Sequence, residues 1–242
     1  MTDCLRRFLH NVLDYVFPRR CVVCRNSLAD GEQYVCNACY VNLPFVPDME
    51  KEGNPVEKLF WSYPVVRAGS LLIFQSGNAT QKIVHSLKYG NKPEIGIHFG
   101  RIMAHSLEPF GFFKDIDAIL PLPLSAKRQK HRGYNQSEML ARGISDVTSL
   151  PILGDAVVRV IDNPSQTQLS ALQRLGNVRD IFEISQPGSL MGKHILVVDD
   201  VITTGATVRS LLETVSKQVN LQFSVLSLAL AGHHFAIPTQ ET

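Results

Sequence analysis

The fold is decided by a short stretch near the end of the chain, ILVVDDVITTGAT at residues 195–207. Its first four residues, Ile195 to Val198, form a continuous apolar run, which is typical of a strand buried on both faces. A helical pattern follows at once, with apolar residues at Val208, Leu211, Leu212 and Val215. The stretch therefore predicts a strand, loop and helix of a parallel α/β sheet, with its polar residues at the carboxyl end of the strand.

The polar residues of this stretch have the chemistry of a ribose-phosphate site. Asp199 and Asp200 can accept hydrogen bonds from two ribose hydroxyls in the crevice where α/β sheets bind ligands. The loop after them enters a helix, whose free backbone N–H groups and dipole favour a phosphate. We assign the phosphate loop to Thr203, Thr204, Gly205, Ala206 and Thr207. An acidic pair alone is also typical of a metal site or a turn, and Thr-Thr-Gly of a helix cap, so only the ordered combination is specific.

The preceding residues extend this pattern into an α/β domain. Apolar runs alternate with helical periodicity, which indicates a parallel sheet with flanking helices. Asn135 precedes a helical pattern and has Glu138 three residues on, as in a helix N-terminal cap. The predicted strands are 65–74, 116–120, 195–198 and 223–231, and the predicted helices are 79–88, 94–107, one from Asn135 and one marked by the apolar residues of 208–215.

Four of the five cysteines form two Cys-x-x-Cys pairs, with 11 residues between the pairs. Each pair lets two thiolates converge from one tight turn, and two pairs supply a closed tetrahedral zinc site. Two structural disulfides are the alternative, which a reducing compartment disfavours. We therefore predict a structural zinc held by Cys21, Cys24, Cys36 and Cys39, and Cys4 is interpreted as a small buried hydrophobe.

The composition of the chain limits the class of protein to which it can belong. With 242 residues, 45% hydrophobic and 19% charged, the chain is typical of a folded protein, and no apolar run approaches the roughly 20 residues of a membrane span.

The N-terminal segment, residues 5–17, has the apolar periodicity of a helix, which favours docking of that helix on the rest of the protein over membrane binding. No signal-peptide cleavage site is recognisable, so we predict a cytoplasmic protein. We expect a zinc module over 1–50, with a linker near 44–55, and an α/β domain over 51–242.

Positive charge is concentrated in the middle of the chain. Residues 51–150 contain 13 basic and 8 acidic residues, and much of the excess lies in the run Lys127, Arg128, Lys130 and Arg132. Such a run could face the phosphates of a small ligand or of a nucleic acid, and it could equally be a solvated loop.

The 195–207 stretch resembles the sequence that marks type I phosphoribosyltransferases, which bind phosphoribosyl pyrophosphate (PRPP). Further residues resemble the ComF/GntX family in particular, and the double Cys-x-x-Cys belongs to the same arrangement. Tyr134 stands where Phe is commoner. These further residues are Pro121, Leu122, Pro123, Leu124, Lys127, Arg128, Arg132, Gly133, Tyr134, Asn135, Gln136, Gln166, Arg174, Asn177 and Phe182.

This resemblance implies a phosphoribosyltransferase-like fold, a role in DNA uptake during natural competence, and a place for each part of PRPP. The 5-phosphate would lie on the 203–207 loop, and Asp199 and Asp200 would bind the ribose and stabilise positive charge in catalysis. Pyrophosphate, with magnesium, would face residues 121–124, assisted by Lys127, Arg128 and Arg132. Gln166, Arg174 and Asn177 would belong to a mobile loop or a helix cap.

Three functions are consistent with the sequence. The chain could be an active phosphoribosyltransferase of unknown acceptor, a competence factor that binds single-stranded DNA or partner proteins, or a PRPP-sensing regulator. For single-stranded DNA we expect contacts from the basic run of residues 127–132, with Tyr134 stacking on a base and PRPP competing for the same surface.

Overall fold

The computed structural model describes residues 19–161 and 181–235, and elements are numbered in chain order within that part. The strands are β1 (Val65–Phe74), β2 (Ala118–Pro121), β3 (Val157–Arg159), β4 (Phe182–Ile184), β5 (His194–Ile202) and β6 (Gln222–Ala231). The helices are α1 (Asn37–Tyr40), α2 (Pro55–Lys58), α3 (Ala79–Tyr89), α4 (Glu94–Leu107), α5 (Ala126–Arg132), α6 (Gln136–Thr148), α7 (Pro187–Leu190) and α8 (Ala206–Ser216). Short 3₁₀ turns follow α4, at Glu108–Phe110, and β6, at Gly232–His234.

Four of these strands form one sheet in the order β1-β6-β5-β2, and every neighbouring pair is parallel. The parallel sheet with flanking helices that the sequence predicts is therefore confirmed. β5 lies inside the sheet and pairs with β6 as far as Ile202, whereas its pairing with β2 ends at Val198. Residues 199–202 thus extend past the end of β2. β3 and β4 form a separate antiparallel ribbon.

The two faces of the sheet are covered by different helices. Leu196 and Val198 of β5 pack in one core with α3, α4 and α6. Ile195 and Val197 pack in a second core with α8. The connection that leaves β2 therefore runs over one face and the connection that leaves β5 runs over the other. Two adjacent strands that part in this way open a crevice at their carboxyl ends, where α/β sheets commonly bind ligands, so the crevice between β2 and β5 is the candidate site.

Two glycines fix the position of α6 against α4. A Cβ atom added at Gly100 would lie 2.1 Å from the carbonyl oxygen of Leu140, and one at Gly143 would lie 2.1 Å from that of Ile97. Only glycine lets the two helices approach this closely. The first turn of α6, which contributes to the crevice, is thereby held in place.

The cysteine-containing segment packs directly on the α/β domain. Cys21, Val22 and Cys36 are buried in the same core as α3 and α4. The chain then runs antiparallel along the outer edge of β1, where Val46 donates to Leu71 (2.9 Å) and Ile73 donates to Pro44 (2.7 Å). Part of the predicted linker therefore covers a sheet edge. The division at residue 50 stays a prediction.

Some predictions fall outside the described residues or differ from the structure. The predicted helix at 5–17 and Cys4 lie outside the described residues. The strand predicted at 116–120 is observed at Ala118–Pro121. The basic run is a helix rather than a loop, because Ser125 caps its first turn and Gly133 ends it with a φ of 80°. Over residues 19–161 and 181–235, no helix has the length and apolar character that crossing a bilayer requires.

Candidate functional site

A cavity of about 160 Å³ opens at the crevice between β2 and β5. It is polar, and its walls come from both strands and from helices on both faces of the sheet. Two carboxylates and four cationic side chains face it, which suits a ligand with both hydroxyl and phosphate groups. The lining residues are Lys88, Leu122, Pro123, Leu124, Arg128, Arg132, Asn135, Gln136, Ser137, Arg159, Asp199, Asp200, Val201 and Thr207.

The acidic pair is the centre of this cavity, and both carboxylates are buried. Asp199 Oδ1 accepts hydrogen bonds from the backbone N–H of Asp200 (2.7 Å) and from Ser137 Oγ (3.3 Å). Asp200 Oδ2 lies 3.0 Å from Nζ of Lys88, which reaches it from the last turn of α3. Lys88 and Ser137 are therefore site residues that the sequence did not reveal, since neither belongs to a local pattern with the acidic pair.

Burial, together with the charge of Asp200, raises the pKa of Asp199 to about 7. A raised carboxyl pKa means that the folded state holds the proton more tightly than the unfolded state, where the pKa is about 3.9. The stability that this proton contributes is complete below the unfolded pKa and is lost as pH rises through about 7. The ligand-free acidic pair therefore destabilises the fold at alkaline pH.

We accordingly expect Asp199→Asn, which is neutral at every pH, to raise the melting temperature at pH 8 and to lose most of that advantage as the pH falls to 5. For a chain of this size the gain is about 2–4 °C for each kcal/mol of repulsion removed. Thermal unfolding of both proteins in magnesium-free buffer at the two pH values measures it. An equal or lower melting temperature for the variant at pH 8 would contradict the burial argument.

The loop after the acidic pair is shaped for close approach of a ligand to the backbone. Gly205 has a φ of 74° and directly precedes α8, and a Cβ atom there would lie 3.3 Å from the buried ring of Phe60. The hydroxyl of Thr204 accepts a hydrogen bond from the N–H of Ala206 (3.4 Å). His234 contacts the carbonyl oxygen of Thr203 through Nε2. Thr203 and Thr204 are exposed, so the loop that leads into the first turn of α8, where an anion could bind, is open to solvent.

The basic helix α5 contributes only part of its charge to the cavity. Arg128 and Arg132 line it, whereas Lys127 is exposed on the outer side. Arg132 also donates to Oε1 of Gln136 (2.6 Å). Arg159, from the β3–β4 ribbon, adds a fourth cation and lies 5.7 Å from the ring centroid of Phe182. The ribbon was not recognised from sequence, because strands of three residues have no measurable periodicity.

The remaining predicted site residues divide into three groups. Leu122, Pro123 and Leu124 line the cavity, and Pro121 is the last residue of β2 behind them. Gln166, Arg174 and Asn177 lie outside the described residues. Tyr134 does not suit base stacking, because its ring packs against the core and its hydroxyl donates to the carbonyl oxygen of Leu87 (2.5 Å).

The four cysteines form the second candidate site. The Sγ atoms of Cys21, Cys24, Cys36 and Cys39 all lie within 4.8 Å of one another, and those of Cys24 and Cys36 are 3.7 Å apart. Tetrahedral zinc with Zn–S bonds of about 2.3 Å separates its sulfurs by about 3.8 Å. The N–H of Cys36 also donates to Sγ of Cys21 (3.4 Å). The four thiols therefore fit one structural zinc ion, which the sequence predicts.

The close packing of the four thiols shifts their pKa values in different directions. Burial acts to raise the pKa of Cys21, but backbone N–H donors from Cys24, Cys36 and Val23 outweigh it and lower that pKa to about 6. Burial and the neighbouring thiols raise the pKa of Cys39 to about 12. Four thiolates this close repel one another, so the cluster needs a cation to be fully deprotonated.

Known proteins are similar both to the cysteine-containing segment and to the chain over most of its length. A family model for the double zinc ribbon domain matches residues 12–51. DNA utilization protein YhgH of Escherichia coli strain K12 is 26% identical over 212 residues, covering 81% of this chain and 90% of that protein. Competence protein F of Haemophilus influenzae is 25% identical over 230 residues, covering 89% and 98%. Competence protein ComFC of Bacillus subtilis is 32% identical over 99 residues, covering 39% and 38%.

Solved structures also align with the chain. The allosteric regulatory enzyme of purine biosynthesis aligns with a TM-score of 0.36 and 18% identity, over 71% of this chain and 30% of that one. Adenine phosphoribosyltransferase from Leishmania donovani aligns with a TM-score of 0.34 and 14% identity, over 79% and 92%.

The fold and the cysteine cluster define the chain as a zinc-ribbon protein with a parallel α/β domain. Two relatives that align along nearly their whole length are named for competence and for DNA utilization. The chain is therefore similar over most of its length to these competence and DNA utilization proteins, and its cysteine segment matches the double zinc ribbon domain.

Proposed function

We propose that this protein binds PRPP with magnesium in the crevice between β2 and β5 and acts in DNA uptake. One observation carries the first part: the buried pair Asp199 and Asp200 faces the same cavity as Arg128 and Arg132 and adjoins the first turn of α8. Ribose hydroxyls, pyrophosphate and 5-phosphate each find suitable partners there. The names of the relatives support the role in DNA uptake.

Each part of PRPP has a partner in this arrangement. The carboxylates of Asp199 and Asp200 accept hydrogen bonds from the ribose hydroxyls, and Lys88 keeps Asp200 in position through its 3.0 Å ion pair. Thr207 and the backbone around Gly205 bind the 5-phosphate. Magnesium bound to the ligand would neutralise charge on the pyrophosphate, and the acidic pair offers the oxygen ligands that this ion prefers.

Calorimetric titration tests the proposal, with ribose 5-phosphate and pyrophosphate as partial ligands. We expect PRPP with magnesium to bind more tightly than either part, because the cavity joins sugar and phosphate partners. Equal affinity for pyrophosphate alone would mean that the cationic rim binds phosphates without the acidic pair. That result would contradict the proposed site.

A second cavity favours transferase activity over sensing. It has a volume of about 520 Å³ and shares Pro123, Leu124, Asn135 and Arg159 with the first. An acceptor molecule there would lie next to the ribose. Release of pyrophosphate from PRPP that depends on an added nucleobase or amine would identify catalysis, whereas PRPP binding without release would favour the regulator.

Single-stranded DNA is a second candidate ligand because of the charge on α5. Within seven residues this helix carries Lys127, Arg128, Lys130, His131 and Arg132. Lys127 and Lys130 are exposed on the same helix as Arg128 and Arg132 but do not line the cavity. They can therefore contact a DNA backbone while the cavity itself is filled, whereas Arg128 and Arg132 would serve both ligands.

We expect Lys127→Glu/Lys130→Glu to weaken single-stranded DNA binding and to leave PRPP binding intact. Each lost phosphate contact makes the dependence of log affinity on log salt shallower by about 0.7. Anisotropy titrations between 50 and 200 mM salt, on the order of the range where such effects are large, measure the slope. The control is Lys114→Glu/Lys193→Glu, the same charge change next to the amino ends of β2 and β5. An equal loss in the control would mean that net charge, not α5, attracts DNA.

A further inference from the structure

The end of α3 carries an exposed aromatic residue with two polar partners. Tyr89 is 58% exposed. The ring of His85, one turn earlier, lies 5.0 Å from it at an interplanar angle of 50°. The guanidinium carbon of Arg132, from α5, lies 5.6 Å from the Tyr89 ring centroid. We call Tyr89, His85 and Arg132 the aromatic platform.

The platform stands directly beside the candidate site. Lys88, the residue before Tyr89, turns inward to Asp200, and Arg132 lines the cavity as well as contacting Tyr89. The remaining cations of α5 continue from Arg132 along one short helix. A stacking surface and a row of phosphate partners are therefore contiguous.

These contacts hold Tyr89 in one orientation while most of the residue stays in solvent. A ring that is already ordered loses little conformational entropy when a ligand covers it. Tyrosine rings and arginine planes are the two surfaces on which unpaired bases commonly stack. Tyr134 cannot serve this purpose because it is packed against the core.

We propose that Tyr89, held by His85 and Arg132, stacks on an unpaired base of single-stranded DNA whose phosphates follow α5. The proposal rests on the DNA binding proposed above and specifies its surface. Tyr89 does not line the cavity, so its role can be tested apart from the PRPP site. Arg132 lines the cavity and also contacts Tyr89, so a DNA strand bound here would compete with PRPP for that one residue.

The test compares Tyr89→Ala with Tyr89→Phe on oligothymidylate and on an abasic strand of the same length. Loss of one base–aromatic stack weakens binding by about 5- to 140-fold, so we expect that loss for Tyr89→Ala on oligothymidylate only. Tyr89→Phe should bind normally on both strands. Phe110→Ala is the matched control, because Phe110 is 62% exposed and lies beyond α4, away from α5.

Three results would overturn the proposal. The first is unchanged affinity of Tyr89→Ala for oligothymidylate, and the second is an equal loss on the abasic strand, which would indicate a backbone effect. The third is a protein that binds PRPP but no single-stranded DNA, which would remove this surface and leave the proposed PRPP site standing. Calorimetry with PRPP on the same preparations separates that case from a misfolded protein.

Discussion

Replacing Cys36 by serine is expected to release the zinc ion and to unfold the module around it. A structural zinc contributes about 10–16 kcal/mol of apparent binding free energy in small domains, and the segment has little core of its own. Cys36 is buried, and its sulfur lies 3.7 Å from that of Cys24. Serine offers a poor ligand, so the remaining three thiols should lose the metal on dialysis. The zinc content measured by metal analysis should fall from one zinc per chain to nearly none.

The loss of zinc should also destabilise the α/β domain, because Cys21, Val22 and Cys36 share a core with α3 and α4. A lower melting temperature for the whole chain is the expected sign. Cys4→Ser is the control and should keep one zinc per chain. A metal-free protein with an unchanged melting temperature would contradict the zinc assignment.

The double variant Asp199→Asn/Asp200→Asn is expected to lose affinity for PRPP by more than about 100-fold. Each hydrogen bond to a charged group contributes about 1.5–3 kcal/mol, and the variant replaces both buried carboxylates with amides of the same shape. The fold should survive, since neutral amides remove the repulsion between the two carboxylates. Calorimetry with PRPP and magnesium measures the loss, and circular dichroism checks the fold.

Asp155→Asn is the matched control for this variant. Asp155 is exposed and lines the neighbouring cavity rather than the one with the acidic pair. The affinity of the Asp155→Asn variant for PRPP should equal that of the parent protein. If the double variant binds PRPP as the parent protein does, the ligand lies elsewhere and the proposed function fails at its first step.

Strong periodicity made most of the fold predictable from sequence. The predicted helix 94–107 and strand 65–74 coincide with α4 and β1, because each has many apolar residues on one face or in one run. The helix α5 was missed because seven mostly charged residues have no apolar stripe. Its cap Ser125 and the left-handed Gly133 are the only local signals for it.

The candidate site was predictable only where it is local in sequence. Asp199, Asp200 and the loop of residues 203–207 lie in one stretch, so their roles follow from one pattern. Lys88 comes from a helix more than 100 residues earlier, and it reaches Asp200 because α3 and β5 pack in one core. Ser137 donates to Asp199 from α6, and Arg159 lines the same cavity from the separate β3–β4 ribbon. No pattern of neighbouring residues encodes such contacts.

The segment around Pro44 to Val46, which follows the four cysteines, covers the outer edge of β1 and so protects it from pairing with another molecule. Val46 and Pro44 occupy hydrogen-bonding groups of Leu71 and Ile73 that would otherwise be open to another strand. At the opposite edge of the sheet, Ile119 of β2 bonds to Pro151 and Leu153. An exposed edge is a template for intermolecular pairing. Loss of zinc would therefore free a strand edge for self-association, so oxidants and chelators threaten the colloidal stability of this protein as well as its fold.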